Sequence, residues 1–225
     1  MQVIMVEGNI GAGKSEFLKA MQAVCECSIV PEPVPHKFLD CLYADPANWA
    51  YPFQLIMATE RKIAQNKALE MEARGDLVFL ERSLYADSLF AKVAIQDPEE
   101  FKKYEVFRNE ILGGIIAVPD LIVYLRSTPE GCLSRIKDRM GLDPMRECEG
   151  VVSLEYLQKL HDEHEKWLIE NRDYSVVTYN TETTDWRNPA LAGDIFRYIR
   201  DYVEFGKEFK REFNEYFDKP MEATP

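Results

Sequence analysis

A glycine-rich stretch near the beginning of the chain carries residue types that can bind a triphosphate. It consists of Gly8, Asn9, Ile10, Gly11, Ala12, Gly13, Lys14 and Ser15. The first glycine, the last glycine and the Lys-Ser pair have the spacing of a phosphate-binding loop. Glycines allow successive backbone N–H groups to converge on a phosphate, and a helix that begins at the loop adds the positive end of its dipole.

Two side chains of this segment, called the phosphate loop (residues 8–15), would have separate tasks in such a site. Lys14 supplies a mobile ammonium for the β- and γ-phosphates, and the Ser15 hydroxyl can ligate Mg²⁺. A chance glycine-rich turn is the alternative. The apolar run Val3–Val6 and the amphipathic segment Glu16–Val24 flank the loop, which is the strand–loop–helix context of a nucleotide site. We therefore expect a nucleoside triphosphate, such as ATP, with Mg²⁺.

Two carboxylates follow other short apolar runs. Glu81 comes directly after Leu77–Leu80, and Glu32 lies in a proline-rich segment, residues 31–35, that is expected to be extended. Ligands bind at the carboxyl ends of the strands in open parallel sheets. We expect Glu81 to be a Mg²⁺ ligand and Glu32 to be the general base for an acceptor hydroxyl. Solvated loop acids are the alternative for both.

One predicted helix face mixes polar and apolar groups. Gln54, Met57, Ala58 and Arg61 are spaced i, i+3, i+4 and i+7, so they share this face. An amide, a guanidinium and apolar groups together suit the edge and faces of a nucleobase. A solvated helix face is the alternative.

Three arginines follow in the second half of the chain. Arg135 and Arg139 are spaced i, i+4 on a predicted helix, and Arg146 lies beyond its end. Basic side chains there can close over transferring phosphates and stabilise the charge that develops on them. A solvated basic helix end is the alternative.

An α/β scaffold must position these groups. Short apolar runs alternate with helical patterns, and they are Val3–Val6, Ser28–Val30, Leu77–Leu80, Leu121–Leu125 and Val176–Tyr179. Helices are predicted over Glu16–Val24, Lys37–Tyr43, Pro46–Arg74 with a kink at Pro52, Leu84–Val93, Glu99–Leu112, Pro129–Arg139, Ser153–Glu170 and Asn188–Phe217. This alternation predicts a three-layer α/β P-loop fold with a central parallel five-stranded sheet flanked by helices.

Composition limits the remaining possibilities. A chain of 225 residues is expected to form one domain, 1–225, and its net charge of −12 argues against a nucleic-acid-binding surface. The five cysteines include no C-x-x-C pair, so they fit neither a disulfide framework nor a zinc site. No signal peptide or membrane span is recognisable. We expect a cytoplasmic protein that binds small molecules.

At this point the sequence resembles the deoxynucleoside kinases of the deoxycytidine/deoxyguanosine kinase type, over most of the chain. The matching segments are EGNIGAGKS, PEPV, LYADPANWAYPFQ with TER after it, ERSLYAD, YLRSTPEGCLSRIKDR and VSLEYLQKLHDEHEKWL. The resemblance implies a P-loop kinase fold and an ATP-dependent transfer to a deoxynucleoside. It implies catalytic roles for Lys14, for Glu32 as the base acting on the 5′-hydroxyl, and for Arg82 of the Glu-Arg-Ser motif.

The same resemblance implies the contacts to the nucleoside. Tyr43 and Glu149 would hold the 3′-hydroxyl, and Gln54 would read the base. Arg61 would lie at the base edge with Asp87, the acid downstream of the Glu-Arg-Ser motif. The three arginines would belong to a lid at about residues 135–150.

Two segments differ from the family pattern. The family has a tryptophan five residues after the base glutamate, where this chain has Lys37 with Phe38 next. The lid between Arg139 and Arg146 is several residues longer than in the family. The family also implies a homodimer, for which Leu84–Val93 and Glu99–Leu112 are the expected contact helices.

The proposed chemistry has two alternatives. A nucleoside monophosphate kinase, of the thymidylate kinase kind, would accept an anionic phosphate and need extra cations but no general base. A non-catalytic nucleotide-binding subunit could share the fold. The proline-framed Glu32 favours a nucleoside acceptor, and the presence of Lys14, Ser15 and Glu81 favours catalysis.

Base preference follows from the pair that Arg61 and Asp87 are expected to form. A charged pair at the base edge would crowd the methyl group of thymine and offer an acceptor to an amino group. We therefore expect deoxycytidine and the purine deoxynucleosides to be substrates and thymidine to be a poor one. Met57 would narrow the pocket against purines, so deoxycytidine is the expected best acceptor.

Overall fold

The sheet of the protein consists of five parallel strands. The computed structural model describes residues 3–111, 119–142, 144–170 and 175–217. The strands are β1 (Val3–Glu7), β2 (Ser28–Val30), β3 (Val78–Glu81), β4 (Leu121–Arg126) and β5 (Val176–Asn180). Their order across the sheet is β2-β3-β1-β4-β5, and each neighbouring pair is parallel. All five predicted strands are confirmed.

Helices connect and cover these strands. They are α1 (Lys14–Val24), α2 (His36–Ala44), α3 (Pro46–Glu72), α4 (Leu84–Ala94), α5 (Pro98–Val106), α6 (Pro129–Met140), α7 (Leu154–Glu165) and α8 (Pro189–Phe217). Asp45, Asp97, Thr128 and Ser153 cap the starts of α3, α5, α6 and α7 by accepting backbone N–H groups of the first turn. A cap followed by proline at the first helical position makes three of these starts readable in the sequence.

Alternate residues of β1 pack on opposite faces of the sheet. Ile4 and Val6 belong to a core formed with α1 and α8, whereas Val3 and Met5 belong to a core that includes residues of α3. All five residues of β1 are buried, as expected for a strand covered on both sides. The predicted three-layer arrangement is confirmed.

Some boundaries differ from the predictions. Pro52 lies inside α3 and does not interrupt it, and α3 ends at Glu72, two residues before the expected Arg74. A short 3₁₀ helix, Pro144–Val151, occupies the stretch that the sequence leaves irregular. Single π turns continue α5 and α7, over Phe107–Ile111 and Lys166–Glu170. The predicted end of the Glu99–Leu112 helix lies outside the described residues.

No helix in the described ranges combines the length and the apolar character needed to cross a membrane.

The phosphate loop packs directly against α6, and this leaves no room for a side chain at Gly11. Its φ is +77°, and a Cβ there would lie 2.6 Å from the carbonyl oxygen of Cys132 and 3.0 Å from Cγ1 of Ile136. Gly75, after α3, has a φ of +97° but has nothing within 4 Å of the same position. The two glycines therefore share the left-handed backbone but differ in their surroundings.

Alanine substitutions at these two positions should separate backbone strain from steric overlap. Both substitutions should lower the free energy of unfolding by about 1–2 kcal/mol, because a left-handed backbone disfavours a Cβ. Gly11→Ala should lose about 1–3 kcal/mol more in unfolding free energy, since the side chain overpacks against α6. Urea denaturation of Gly11→Ala and Gly75→Ala measures the difference. Equal losses would contradict the close contact between the loop and α6.

Candidate functional site

A cleft of about 570 Å³ opens at the carboxyl ends of the central strands. Its size suits a small organic ligand. The predicted site residues that line it are Ile10, Gly11, Gly13, Lys14, Ser15, Glu32, Tyr43, Gln54, Met57, Arg61, Glu81, Arg82, Arg135, Arg139, Arg146 and Glu149. The structure thus brings together groups separated by as many as 139 positions in the sequence. Four of the predicted residues do not line the cleft, namely Gly8, Asn9, Ala12 and Asp87.

The phosphate loop is anchored through Asn9. Its side-chain nitrogen donates to the carbonyl oxygen of Leu157 in α7 at 2.9 Å, and its side-chain oxygen accepts the Ile10 N–H at 2.8 Å. The Lys14 ammonium donates to the backbone carbonyls of Gly8 and Asn9 at 3.3 and 3.1 Å. The cation of the loop is therefore already held above the backbone that would cradle a phosphate.

Lys14 has an unusual proton affinity. It is only 6% exposed. Burial lowers its pKa to about 8, and the nearby Arg82 acts in the same direction, although three glutamates around it oppose the shift. A phosphate in the loop would favour the charged form by adding negative charge.

Ser15 and Glu81 lie together at the start of α1 and the end of β3. The Ser15 hydroxyl donates to Oε1 of Glu81 at 3.1 Å. Hydroxyl and carboxylate oxygens are the hard donors that Mg²⁺ prefers, and Mg²⁺ commonly takes its remaining ligands from water and substrate phosphates. The described residues contain no cluster of three or more His, Cys, Asp or Glu side chains that could hold a metal by itself. The pair fits a metal that arrives with a phosphate ligand.

Glu32 is held by two guanidinium groups. Its Oε1 lies 2.7 Å from an Nη of Arg61 and 2.9 Å from Nε of Arg82. Burial alone would raise the pKa of Glu32, but Arg82, Arg61 and Lys14 outweigh it and lower the pKa to about 2. Glu32 is therefore an ionised and oriented carboxylate at neutral pH.

The charge network continues beyond the cleft. The second Nη of Arg61 is paired with Oδ1 of Asp87, a fully buried residue of α4. The hydroxyl of Tyr104, on α5, donates to the other oxygen of the same carboxylate. The Arg61–Asp87 pair expected from the sequence is present, but Asp87 does not line the cleft and its two oxygens accept from Arg61 and Tyr104, so the expectation that Asp87 offers an acceptor to an amino group is wrong. Tyr104 is a partner that sequence analysis missed.

Phe90 is a second residue that sequence analysis missed. Its ring lies under two guanidinium groups, with the central carbon of Arg82 4.3 Å and that of Arg61 5.2 Å from the ring centroid. Cation–π contacts of this kind are strongest where water is excluded. Phe90 lies three residues after Asp87 on α4, so the helix spacing offered a signal, but a phenylalanine there reads equally well as ordinary core.

Glu7 explains the position of Arg82. Its buried carboxylate, at the end of β1, accepts the backbone N–H of Ser83 at 2.7 Å and the Ser83 hydroxyl at 2.6 Å. Arg82 has a φ of 61°, in the left-handed region that bulky residues avoid. The Glu7 contacts hold this strained turn, which aims the Arg82 side chain at Glu32. An acidic residue at the end of an apolar run was the available signal.

The helix face of α3 is buried, so the alternative of a solvated face is wrong. Gln54, Met57, Ala58 and Arg61 are each at most 4% exposed. Among the described residues, Oε1 of Gln54 has no hydrogen-bond partner. A buried amide oxygen that faces a cleft without a partner points to a polar ligand group, because leaving it unpaired is costly.

Phe38, which follows Lys37 at the position where the family pattern differs, does not line the cleft. Phe38 is 41% exposed and packs against Trp49, with ring centroids 6.2 Å apart. The aromatic residues that line the cleft, among those the structure describes, are Tyr43, Phe53, Phe90 and Tyr156. Their rings are the candidates for contact with a planar ligand.

Two lid arginines meet the carboxylate expected to bind a hydroxyl. Nε of Arg139 donates to Oε2 of Glu149 at 2.7 Å, and an Nη of Arg146 donates to Oε1 at 3.0 Å. Tyr43 faces the same part of the cleft, and burial, together with the nearby Tyr156 and Glu149, raises its pKa. The lid arginines therefore bind Glu149, although the sequence assigns the arginines to the phosphates and Glu149 to a hydroxyl.

Arg135 is tied to the phosphate loop itself. Its Nε donates to the Gly11 carbonyl at 2.8 Å, and its Nη donates to the hydroxyls of Ser127 and, at 3.0 Å, Thr181. Glu182 accepts hydrogen bonds from Ser127 at 2.9 Å and lies 3.8 Å from the Arg135 guanidinium. Glu182 was not predicted from the sequence, because its partners come from other loops.

Known proteins resemble this chain in sequence and in fold. A family model described as deoxynucleoside kinase matches residues 4–204. The deoxycytidine kinase of Rattus norvegicus is 31% identical over 244 residues, covering 93% of this chain and 90% of that protein. The mitochondrial deoxyguanosine kinase of Xenopus laevis is 31% identical over 237 residues, covering 86% and 87%. A solved structure of deoxyadenosine kinase from M. mycoides, with the products dCMP and a flexible dCDP bound, matches with a TM-score of 0.73 at 24% identity and covers 89% of this chain and 100% of that chain.

The pKa of Lys14 predicts how triphosphate binding depends on pH. A lysine is charged below its pKa, so free protein loses the loop cation as the pH rises through about 8. Binding that requires the charged form should then weaken by about tenfold per pH unit. Calorimetric titration with a non-hydrolysable ATP analogue between pH 7 and 9.5 measures this, with Lys14→Met as the control that binds weakly at every pH. A constant Kd for the unmodified protein would contradict the assignment.

Proposed function

The chain belongs to the deoxynucleoside kinase family, and from that premise we propose that it transfers the terminal phosphoryl group of ATP to the 5′-hydroxyl of a deoxynucleoside, with deoxycytidine as the best acceptor. The observation that carries the proposal is the position of Glu32. It lies between Arg61 and Arg82 and lines the same cleft as the phosphate loop. One cleft therefore holds a triphosphate cradle and a carboxylate suited to a hydroxyl.

The donor side of this reaction depends on cations and backbone groups. Lys14 and the N–H groups of the phosphate loop would hold the triphosphate, and Arg135 would stabilise negative charge from its place beside Gly11. Ser15 and Glu81 would hold Mg²⁺, which neutralises phosphate charge when it is bound. Arg139 and Arg146 would complete the enclosure as parts of the lid.

The acceptor side depends on the orientation of Glu32. Phosphoryl transfer has a loose transition state, so the attacking hydroxyl needs positioning more than early deprotonation. A carboxylate with a pKa of about 2 is a weak base, and it accepts the 5′-hydroxyl proton as the new P–O bond forms. Arg82 fixes this carboxylate and lies close enough to Lys14 for the two charges to interact. We assign Glu32, Arg82 and Lys14 the catalytic roles.

The sugar and the base would occupy the deeper part of the cleft. Tyr43 and Glu149 would hold the 3′-hydroxyl. Gln54 would meet the polar edge of the base with its unpartnered amide oxygen, which can accept an amino N–H. Met57 limits the depth of the pocket. Arg61, which lines the cleft and is held there by Asp87, would disfavour the methyl group of thymine. The expected order is therefore deoxycytidine, then the purine deoxynucleosides, then thymidine.

The charge balance argues against a monophosphate acceptor. Arg61 and Arg82 are already paired with carboxylates, and a phosphate placed at Glu32 would face a negative charge. The test is transfer from labelled ATP to the four deoxynucleosides and to their monophosphates. The proposal expects transfer to nucleosides. Transfer to monophosphates alone would indicate a thymidylate-kinase-like enzyme, and no transfer would indicate a non-catalytic nucleotide-binding protein.

The proposal also covers the oligomeric state of the protein and its cellular compartment. We infer a homodimer, as the family resemblance implies. The expected contact helices are α4, which buries just over half of its residues within the chain, and α5, where Val106 is 46% exposed. The five cysteines are free, which is compatible with a reducing compartment such as the cytoplasm.

Replacing Glu32 by glutamine tests its role. Glu32→Gln keeps the size of the side chain and removes its negative charge and its basicity. Turnover should fall by roughly 10²–10⁴, while deoxycytidine binding persists. Steady-state kinetics with deoxycytidine, together with direct binding measurements, separates the two effects. A variant that keeps more than about half of the wild-type turnover would rule out this role.

Removing Glu149 should distinguish substrates by their 3′-hydroxyl. A hydrogen bond to a charged group contributes about 1.5–3 kcal/mol. Glu149→Ala should therefore lower kcat/KM for deoxycytidine much more than for 2′,3′-dideoxycytidine, which lacks the hydroxyl. The dideoxy analogue is the internal control, since both lose the Arg139 and Arg146 contacts equally. Equal losses for the two nucleosides would remove Glu149 from the sugar site.

A further inference from the structure

Tyr104 contacts the site from outside the cleft. It is a fully buried residue of α5, and its hydroxyl donates to Oδ2 of Asp87. Oδ1 of the same carboxylate accepts from Arg61. Of these three residues, Arg61 lines the cleft, whereas Tyr104 and Asp87 stand behind it. The Tyr104 hydroxyl therefore donates a hydrogen bond to one oxygen of the Asp87 carboxylate, and Arg61, which lines the cleft, donates to the other.

We propose that Tyr104 is a positioning residue for nucleobase selection, because its hydroxyl holds the Asp87 carboxylate in its orientation toward Arg61. The inference rests on the proposed function. It assigns α5 a role in the choice of acceptor, although none of the described residues of this helix lines the cleft.

Asp87 needs this donor because it is completely buried. Burial raises the pKa of its carboxyl group, although the charge of Arg61 and the hydrogen bonds from Tyr104 and Arg61 oppose the shift. Arg108, in the π turn after α5, opposes it more weakly. Burial and Asp87 both raise the pKa of Tyr104 well above its usual value, so the hydroxyl remains a donor at every working pH. Without it, one carboxylate oxygen would be buried with no partner.

The state of Asp87 decides where Arg61 is held. The Arg61 guanidinium is shared between two carboxylates, Asp87 behind the cleft and Glu32 at the acceptor site. A protonated Asp87 would attract Arg61 less, and the guanidinium would turn toward Glu32. The base pocket would then lose the guanidinium position that disfavours thymine, and the advantage of amino-bearing bases would shrink.

The experiment compares two isosteric tyrosine variants. Tyr104→Phe removes the hydroxyl and keeps a ring that stacks on Phe101, with centroids 6.1 Å apart. Tyr124→Phe is the matched control, because Tyr124 is also buried and its hydroxyl donates, at 2.8 Å, to the carboxylate of Glu165, and neither residue lines the cleft. The readout is the ratio of kcat/KM for deoxycytidine to that for thymidine.

Tyr104→Phe should lower this ratio by about tenfold, the size of one net hydrogen bond, and Tyr124→Phe should leave it unchanged. Raising the pH from 6 to 9 should restore part of the ratio in Tyr104→Phe, because Asp87 loses its proton again. Both nucleosides use the same donor, so ionisation of Lys14 cancels in the ratio. A structural defect would not produce this recovery.

Two further measurements make the inference falsifiable even if Tyr104→Phe folds poorly. In wild-type protein the ratio should stay constant from pH 6 to 9, and a decline toward pH 6 would overturn the proposal. In an Asp87→Ala background, Tyr104→Phe should change the ratio no further.

An active Tyr104→Phe enzyme with an unchanged ratio, or with equal losses for both nucleosides, would also overturn the inference. Wild-type protein that phosphorylates neither nucleoside would instead contradict the proposed function.

Discussion

A buried chain of alternating charges organises the acceptor side of the molecule. Glu32 from the segment after β2, Arg61 from α3 and Asp87 from α4 are joined by direct ion pairs, and Arg82 adds a second contact to Glu32. Removing one partner of a buried ion pair costs about 3–5 kcal/mol, because the other charge remains desolvated. The same contacts that hold three elements together therefore prevent the Glu32 carboxylate from turning away from the cleft.

The sheet imposes a matching constraint on the donor side. β1 lies at the centre, between β3 and β4, and Val6 is in register with Glu81. The phosphate loop after β1 therefore emerges beside the residues that follow β3, which lets Ser15 meet Glu81. Glu7, at the last position of β1, holds the turn that presents Arg82. Donor and acceptor groups meet because neighbouring parallel strands end at the same edge.

Local patterns were sufficient for the strands, the helix starts and the phosphate loop, since each depends on residues close in sequence. Such patterns could not predict which residues far apart in the sequence would become hydrogen-bond or ion-pair partners. Arg61 could be placed on a mixed helix face, but its burial depends on Glu32, 29 positions away, and the Glu7 carboxylate depends on Ser83, 76 positions away. The pairing of the lid arginines with Glu149 likewise required the 3₁₀ turn, which no periodicity in the sequence indicates.

The most direct test of this account is the position of bound deoxycytidine, measured in a crystal structure of the complex. The account predicts that the 5′-oxygen lies within hydrogen-bonding distance of the Glu32 carboxylate, on the side that faces the phosphate loop, while Glu32 stays paired with Arg82. A complex in which the 5′-oxygen lies away from Glu32, or in which Glu32 leaves its arginine partners to reach solvent, would contradict it.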